Sequence, residues 1–276
     1  MFNDCLYFKD GKSKAFTFSF DDGNAKDKRL IQLFNKYGIK GTFNLNTSWM
    51  PDVTDNDHIG KNEIKSVYEG HEVAVHTMDH PFLERLPVNV ATAEIINDRD
   101  KLEKMTGRIV KGMAFPFGTY NSTVVEIMKS CGIKYCRSCE TTARPFDIPS
   151  NWLIMPSTCH QTDSKLFEYA DKFITGNPFE RWTNVDGWLF YVWGHSFEFR
   201  TEEDWDRIEK FCSIISGKDD VWYATNIEIC EYVQAVRALE YSVDMTKVRN
   251  PSGIDVWIGR NGKVIKVGAG CQMEIK

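Results

Sequence analysis

The sequence predicts an α/β fold in which helices cover a parallel sheet that is either open or closed into a barrel. Short apolar runs rich in β-branched and aromatic residues alternate with helix-length amphipathic segments along most of the chain. Elements that alternate in this way build parallel sheets, because each helix returns the chain to the starting edge of the sheet. The chain has 276 residues, and since one α/β barrel commonly takes ~250 residues, we expect a single barrel with a small appendage.

The individual elements are predicted from periodicity and from signals at their ends. Thr201 and Asp204 have the spacing of an N-terminal capping box, and Gly38, Gly107 and Gly132 stand where helices should end. The predicted strands are 15–20, 41–45, 72–75, 111–115, 134–136, 153–155, 189–193 and 221–224. The predicted helices are 26–37, 88–106, 122–131, 164–174, 202–215 and 227–239.

The pattern changes near residue 241, where helical segments give way to short β-rich runs. Residues 256–258 and 264–267 flank Asn261-Gly262, a dipeptide typical of tight hairpin turns. We therefore divide the chain into a barrel of residues 1–240 and a small β appendage of residues 241–276 packed on it. Carbohydrate binding by Trp257 in this appendage is a weaker alternative to simple packing.

Composition excludes several classes of partner. The formal net charge is -5 and no run rich in Lys or Arg is present, so a nucleic-acid partner is not expected. The longest apolar run, residues 188–193, is too short to span a bilayer. The start of the chain lacks the pattern of a secretory signal, and the eight cysteines are irregularly spaced, as is typical of reduced thiols. We expect a cytoplasmic protein, and the oligomeric state stays open.

Polar residues follow three of the predicted strands at or near their ends. Asp21 and Asp22 follow residues 15–20, His76 follows residues 72–75, and His195 comes two residues after the run 189–193. The carboxyl ends of parallel strands meet on one face, where α/β proteins build their active sites. These side chains should therefore share one pocket.

Two carboxylates and two histidines are the donors of a metal-hydrolase site. One aspartate with His76 and His80 supplies three ligands and leaves a position open, while the other aspartate can take a proton from water. Consecutive residues at a strand end point in opposite directions, so only one of the aspartates should reach the metal, and the pattern does not say which. Pro81 disfavours a helix at His80, which predicts a loop or a single turn.

Successive motifs of the chain resemble those of the polysaccharide deacetylase superfamily, also called NodB-homology or carbohydrate esterase family four. The motifs are Thr-Phe-Ser-Phe-Asp-Asp-Gly at 17–23, His-Thr-Met-Asp-His at 76–80, Phe-Pro-Phe-Gly at 115–118 and Trp-Gly-His at 193–195, in family order. The resemblance implies a distorted (β/α) barrel, a divalent metal, most commonly Zn²⁺, and hydrolytic removal of acetyl groups from a saccharide.

The resemblance also implies roles for individual residues. Metal-activated water would attack the acetyl carbonyl, with one aspartate as base and a histidine as acid. Backbone N-H groups would stabilise the oxyanion. By motif, the base is Asp21, the metal ligands are Asp22, His76 and His80, the acid is His195, and the oxyanion donor is Phe117 after Pro116.

One position departs from the family pattern. Well-known members have an arginine two residues before the motif proline, where it braces the catalytic aspartate, but here that residue is Ala114. Arg137 follows the strand 134–136 and could reach the pocket from the next strand, so we predict that it supplies the missing charge.

Several further residues have weaker signals. His160 and Trp193 are predicted to line the pocket, and Trp152 and Trp182 are candidates for stacking on sugar rings. The His58 and His71 side chains are predicted to be solvated. The pair Cys136 and Cys139 has the spacing of redox and zinc sites, but without a second pair we expect plain buried thiols.

Three functions fit these observations. The first is a metal-dependent deacetylase acting on the N- or O-acetyl groups of a saccharide. The second is an amidohydrolase of the same superfamily acting on a small cyclic amide or ureide, which the missing arginine keeps open. The third is a noncatalytic carbohydrate-binding protein that retains the fold.

Overall fold

The structure, a computed structural model, describes residues 5–180 and 184–275. In this part of the chain nine parallel strands form the main sheet, and two small three-stranded sheets lie beside it. The strands are β1 Cys5–Tyr7, β2 Lys14–Asp21, β3 Gly41–Leu45, β4 Glu72–Val75, β5 Gly112–Ala114, β6 Tyr135–Thr141, β7 Met155–Ser157, β8 Cys159–His160, β9 Trp188–His195, β10 Val221–Tyr223, β11 Glu240–Tyr241, β12 Lys247–Arg249, β13 Val256–Arg260, β14 Lys263–Val267 and β15 Gln272–Glu274. The helices are α1 Asp27–Lys36, α2 Ile64–Val67, α3 Val88–Thr106, α4 Ser122–Ser130, α5 Leu166–Thr175, α6 Glu202–Ile215 and α7 Asn226–Arg237.

Each predicted strand and helix is present. The main differences between predicted and observed bounds occur in the strands predicted at 153–155 and 134–136. The strand predicted at 153–155 begins only at Met155, because Trp152–Ile154 forms a 3-10 turn. The strand predicted to end at Cys136 continues to Thr141. The short α2 was not predicted. The predicted capping box at Thr201 is formed.

The main sheet follows the order β7-β6-β5-β4-β3-β2-β9-β8, with β10 paired to the first residues of β2. Its two end strands, β7 and β8, are separated in the chain only by Thr158, whose N-H donates to the Tyr191 carbonyl (2.8 Å). One extended segment therefore pairs with β6 at its start and with β9 at its end. The α/β class is confirmed, and this pairing is compatible with the expected distorted barrel.

Strand β2 lies at the centre of the sheet and separates two environments. Phe16, Phe18 and Phe20 alternate along it and pack on Phe34 of α1 and Phe211 of α6. Because strand side chains alternate between faces, the residues between them, which end with Asp21, point to the other face. The aromatic layer on one face of β2 thus holds the strand in place, while its polar side chains lie on the other face.

The C-terminal segment forms the predicted hairpin. Strands β13 and β14 pair around Asn261 and Gly262, both of which have positive φ angles (51° and 74°), as a tight hairpin turn requires. The last strand, β15, pairs with β12 instead, and β1 from the start of the chain pairs with β13. The division at residue 240 stays a prediction. Within the described ranges, no helix is both long and apolar enough to cross a bilayer.

The aromatic layer under β2 should dominate stability. Phe18 is fully buried and stacks on Phe34 with 4.6 Å between ring centroids. Phe18→Ala should therefore lower the free energy of unfolding by about 3–5 kcal/mol in chemical denaturation. Ile109→Ala is the control, because Ile109 is 71% exposed and its truncation should change stability by less than about 0.5 kcal/mol. Equal effects of the two substitutions would contradict this packing.

Candidate active site

The predicted polar residues meet at the carboxyl end of the main sheet. Parallel pairing places Asp21 at the end of β2 directly beside Asn44 of β3 on one side and His195 of β9 on the other. His76 follows β4, and Arg137 lies on β6. The structure thus brings together residues that are far apart in the sequence.

Asp22, His76 and His80 form a three-ligand cluster. One ligand atom from each lies within 4.8 Å of the others. The His76 Nε2 atom is 3.6 Å from Asp22 Oδ1, and the His80 Nε2 atom is 4.0 Å from the same oxygen. Asp22 Oδ1 is buried and has no hydrogen-bond partner among the described residues, which is unusual for a carboxylate oxygen. A cation would supply the missing partner.

The surroundings of His76 fix which nitrogen is available. Its Nδ1 lies 2.9 Å from the Ala114 carbonyl oxygen, which can only accept, so Nδ1 carries the hydrogen and Nε2 keeps a lone pair toward Asp22. The Asp98 carboxylate of α3 also accepts from the backbone N-H of His76 (3.2 Å) and of Thr47 (2.9 Å). Both ring and backbone of this histidine are therefore held in place.

The backbone at the cluster is left-handed, which corrects one expectation. Asp22 and His80 have φ angles of 77° and 53°, a conformation that residues other than glycine adopt rarely. Strand alternation predicted that Asp22 points away from Asp21, but in the structure it does not. Both carboxylates face His76, whose Nε2 lies 3.8 Å from Asp21 Oδ2. His80 lies in a loop, as Pro81 predicted, and such strain is typical of functional sites.

Asp21 forms a buried ion pair with Arg137. The guanidinium Nη2 contacts Asp21 Oδ2, and both side chains are almost completely inaccessible. Asn44 Nδ2 donates to the other carboxylate oxygen (2.8 Å). Arg137 lies directly across from Ala114 in the β5–β6 register. Arg137 thus contacts Asp21 from the strand next to Ala114, and its bracing role stays a prediction.

The two aspartates differ in protonation behaviour. Burial alone would raise the pKa of Asp21, but Arg137, with His76, His195 and Asn44, outweighs burial and holds that pKa below its usual value. Burial and the neighbouring Asp21 charge raise the pKa of Asp22 to about 6. Burial lowers the pKa of His76 to about 4 and also lowers that of His80. Both histidines are therefore neutral at pH 7, as metal ligands must be.

His195 and His160 share the carboxylate of Glu198. His195 Nδ1 lies 3.3 Å from Glu198 Oε1, and His160 Nε2 lies 3.3 Å from Oε2. The backbone N-H of Thr162 donates to His160 Nδ1 (3.2 Å), so the hydrogen of a neutral His160 is on Nε2, the nitrogen that faces Glu198. Burial alone would lower the pKa of His195, but the Glu198 hydrogen bond and the Asp21 and Asp22 charges raise it. The other nitrogen of His195 is 3.9 Å from Asp21 Oδ2.

Gln161 is a site residue that the sequence did not reveal. Its buried amide donates to Glu198 Oε2 (2.6 Å) and to the His195 carbonyl (2.9 Å). It lies directly over Gly194, where a Cβ atom would come within 2.5 Å of the Gln161 side chain. The glycine between Trp193 and His195 was the available signal. Glu198 and the buried Asn44, which lies within the predicted strand 41–45, were also not among the predicted site residues.

The remaining predicted pocket residues are present at the same end of the sheet. Pro116 is buried, and Phe117 has a positive φ angle (57°) with its exposed ring stacked on Phe82 at 4.0 Å. The Phe117 ring also contacts the His80 ring (4.4 Å). Trp193 lies 4.3 Å from the Arg137 guanidinium and 4.6 Å from the His160 ring, so it packs between them.

Other predicted residues do not join the site. Trp152 is buried in the core, and Trp182 lies outside the described residues. The prediction that His71 is solvated was wrong: it is 3% exposed, because its Nδ1 accepts from the Gly41 N-H (3.1 Å) under the aromatic layer. Cys136 is buried but Cys139 is exposed, so only the first is the expected buried thiol, and both are free.

Comparisons with known sequences agree with the motifs. Residues 8–136 match the family model described as polysaccharide deacetylase. The uncharacterized protein YlxY of Bacillus subtilis is 26% identical over 113 residues, which are 41% of this chain and 34% of that protein. The peptidoglycan-N-acetylmuramic acid deacetylase PdaC of the same organism is 29% identical over 122 residues, 44% of this chain and 25% of PdaC. The match therefore spans about a third or less of these relatives.

Solved structures extend the likeness to most of the chain. A Mycobacterium smegmatis protein described as a polysaccharide deacetylase has a TM-score of 0.60 at 15% identity, covering 84% of this chain and 94% of its own. A CE4 family pseudoenzyme from Bacillus anthracis has a TM-score of 0.52 at 16% identity, covering 81% and 68%. At these identities the likeness concerns the fold. The resemblance predicted from the motifs is confirmed for residues 8–136, which match the polysaccharide deacetylase family model, and the fold is similar to that of these two solved structures.

Proposed function

We propose that this protein is a metal-dependent hydrolase that removes acetyl groups from a saccharide. The observation that carries the proposal is the pairing of two adjacent carboxylates with different surroundings. Asp22 Oδ1 faces His76 and His80 without a hydrogen-bond partner among the described residues, while Asp21 is buried against Arg137. This is the division between a metal ligand and a proton acceptor that hydrolysis requires.

The donor set fits a divalent transition metal. One carboxylate and two neutral imidazoles are the ligands of many catalytic zinc sites, which keep a further position for water or substrate. Asp22, His76 and His80 would hold the ion, and the Ala114 carbonyl would keep His76 oriented. When bound, the ion supplies Lewis-acid polarisation of the acetyl carbonyl and lowers the pKa of water.

Asp21 is the proposed general base. Its lowered pKa keeps it ionised at neutral pH, so it can accept a proton from the attacking water. Arg137 and Asn44 each hold one of its oxygens, which fixes the direction of the remaining lone pairs. The Phe117 N-H, after the buried Pro116, is the proposed donor to the developing oxyanion.

His195 is the proposed general acid. Its Nδ1 faces the Glu198 carboxylate and carries a hydrogen, so in the protonated ring Nε2 holds the proton that can be donated. Nε2 lies on the Asp21 side of the pocket, where the departing amine or alcohol would form. Glu198, held by Gln161, positions the ring and favours its protonated form.

Two alternatives remain testable. The cyclic amide alternative was kept open by Ala114, but Arg137 brings a guanidinium to Asp21 and so weakens that reason. The noncatalytic alternative is supported by the fold's likeness to a pseudoenzyme. Acetate release from N- and O-acetylated sugars, measured beside ring opening of cyclic amides, separates the three functions. A deacetylase releases acetate, an amidohydrolase of the second kind opens cyclic amides, and a pure binding protein catalyses neither reaction.

Metal removal should abolish acetate release, and Zn²⁺ should restore it. Removing a residue that only hydrogen-bonds to a metal ligand lowers metal affinity by about 10–100-fold. His80→Ala removes a proposed ligand itself, so it should lower Zn²⁺ affinity by at least that much. Asp79→Asn is the matched control, since Asp79 is exposed in the same loop. Affinity is measured by calorimetry. A His80→Ala variant that binds Zn²⁺ like the wild type would exclude His80 as a ligand.

Arg137→Ala should reduce turnover and stability together. Breaking a buried ion pair leaves Asp21 uncompensated, which destabilises by about 3–5 kcal/mol and favours its protonated, inactive form. Because Ala114 lies opposite Arg137 in register, the double variant Arg137→Ala with Ala114→Arg should recover part of both losses. Rates of acetate release and urea unfolding check this. Wild-type turnover in Arg137→Ala would show that Arg137 does not brace Asp21.

Glu198→Gln should move the alkaline limit of activity to lower pH. The acid form of His195 is present below its raised pKa and is lost as pH rises through it, so removing the Glu198 charge shortens this range. The pH dependence of kcat is the measurement, with the exposed Glu203→Gln as control. An unchanged alkaline limit in Glu198→Gln would show that Glu198 does not tune His195.

A further inference from the structure

A second pocket lies at the end of the sheet opposite the active site. It has a volume of about 530 Å³ and is bounded by β10, α7 and the hairpin of β13 and β14. Trp222 in its wall pairs with Ala15 near the start of β2, whereas Asp21 ends that strand. We call this pocket the hairpin groove. Its volume is within the range of small-ligand sites, about 300–1,000 Å³.

Three aromatic residues, Trp222, Trp257 and Tyr232, line the hairpin groove. Trp222 and Trp257 are half-buried, so each keeps part of its ring accessible. The Tyr232 hydroxyl donates to the Tyr7 carbonyl (2.8 Å) and accepts from the backbone N-H of Trp257 (3.0 Å). Its ring contacts the Trp222 ring, with 5.3 Å between the centroids. The Tyr232 ring is therefore held before any ligand binds, and the Lys266 ammonium lies 5.3 Å from the Trp257 ring centroid, so less entropy is lost on binding.

The charges of the hairpin groove are balanced. Three of its carboxylates are already paired with lysines: Glu228 with Lys40, Glu231 with Lys111, and Asp255 with Lys266. What remains in the lining is the adjacent pair Lys9 and Asp10, one charge of each sign. The exposed Asp10 carboxylate makes no hydrogen bond or ion pair with the described residues. It offers acceptor oxygens without an excess of charge.

We propose that the hairpin groove binds a neutral saccharide. Aromatic faces pack against the apolar C-H faces of sugar rings, and a carboxylate beside an ammonium satisfies adjacent hydroxyls. Charge balance disfavours both anions and strongly cationic peptides. The pre-formed walls suit a rigid ring.

A saccharide site at this place would act by tethering. A long glycan held in the hairpin groove raises the effective concentration of its other segments at the catalytic end of the same molecule. The inference does not require the proposed activity, because the groove and the candidate active site share no residue.

The test uses protein labelled with 5-fluorotryptophan and the tetramer of N-acetylglucosamine as ligand. The ¹⁹F resonances of Trp222 and Trp257, assigned by single Trp→Phe variants, should shift in a saturable manner. The same shifts should occur in His80→Ala, which impairs only the candidate metal cluster. Asp10→Asn should weaken binding at the groove about tenfold, while kcat/KM on a short acetylated substrate stays unchanged.

Asp10→Asn is suited to this test because Asp10 has a φ angle of 61°, a conformation that asparagine also tolerates. Asp206→Asn, an exposed carboxylate on α6, is the control and should bind as the wild type does. The proposal is overturned if the two resonances do not move, if Asp10→Asn binds normally, or if a lysine-rich peptide binds the groove more tightly than the tetramer. Absence of acetate release with preserved shifts would reject the deacetylase proposal and leave this one standing.

Discussion

The buried ion pair between Asp21 and Arg137 is the interaction on which the candidate site depends. A carboxylate with almost no exposure would normally take up a proton, because burial disfavours its charged form. The guanidinium reverses that preference, and Asn44 adds a hydrogen bond to the second oxygen. With Asp21 ionised and oriented, its neighbour Asp22 is left to face the two histidines. The different surroundings of these two consecutive residues are the basis for the two chemical roles proposed for them.

The fold makes this arrangement possible at one end of a parallel sheet. The aromatic layer of Phe16, Phe18 and Phe20 fixes β2, so that Asp21 meets Asn44 and His195 in register. Beyond the strand end, left-handed backbone at Asp22 and His80 turns their side chains into the same pocket. The strain at these residues is held by surrounding contacts, such as the Asp22 N-H donating to the Asn44 carbonyl (2.9 Å).

Much of the fold could be predicted from the sequence because its local signals agree with one another. Apolar periodicity gave the strands and helices, and the Asn261-Gly262 dipeptide marked the hairpin. Because the carboxyl ends of parallel strands meet on one face, the sequence also predicts which polar residues share a pocket, and Arg137 is predictable because it follows the strand after the one that carries Ala114. The site residues that escaped prediction act through tertiary contacts. Gln161 becomes informative only when β8 and β9 are paired, and the direction of Asp22 depends on one backbone angle that strand alternation does not predict.

Four of the six histidines divide between two clusters whose chemistry differs, and this difference can be measured directly. Asp22, His76 and His80 leave a buried oxygen without a hydrogen-bond partner among the described residues, whereas His160 and His195 both already face the Glu198 carboxylate at 3.3 Å. Anomalous diffraction at the zinc edge, from crystals grown with Zn²⁺, locates the ion without reference to activity. We predict one peak between Asp22 Oδ1 and the Nε2 atoms of His76 and His80, with Asp21 beside it. A peak only between His160, His195 and Glu198, or none at either cluster, would contradict the proposed metal site.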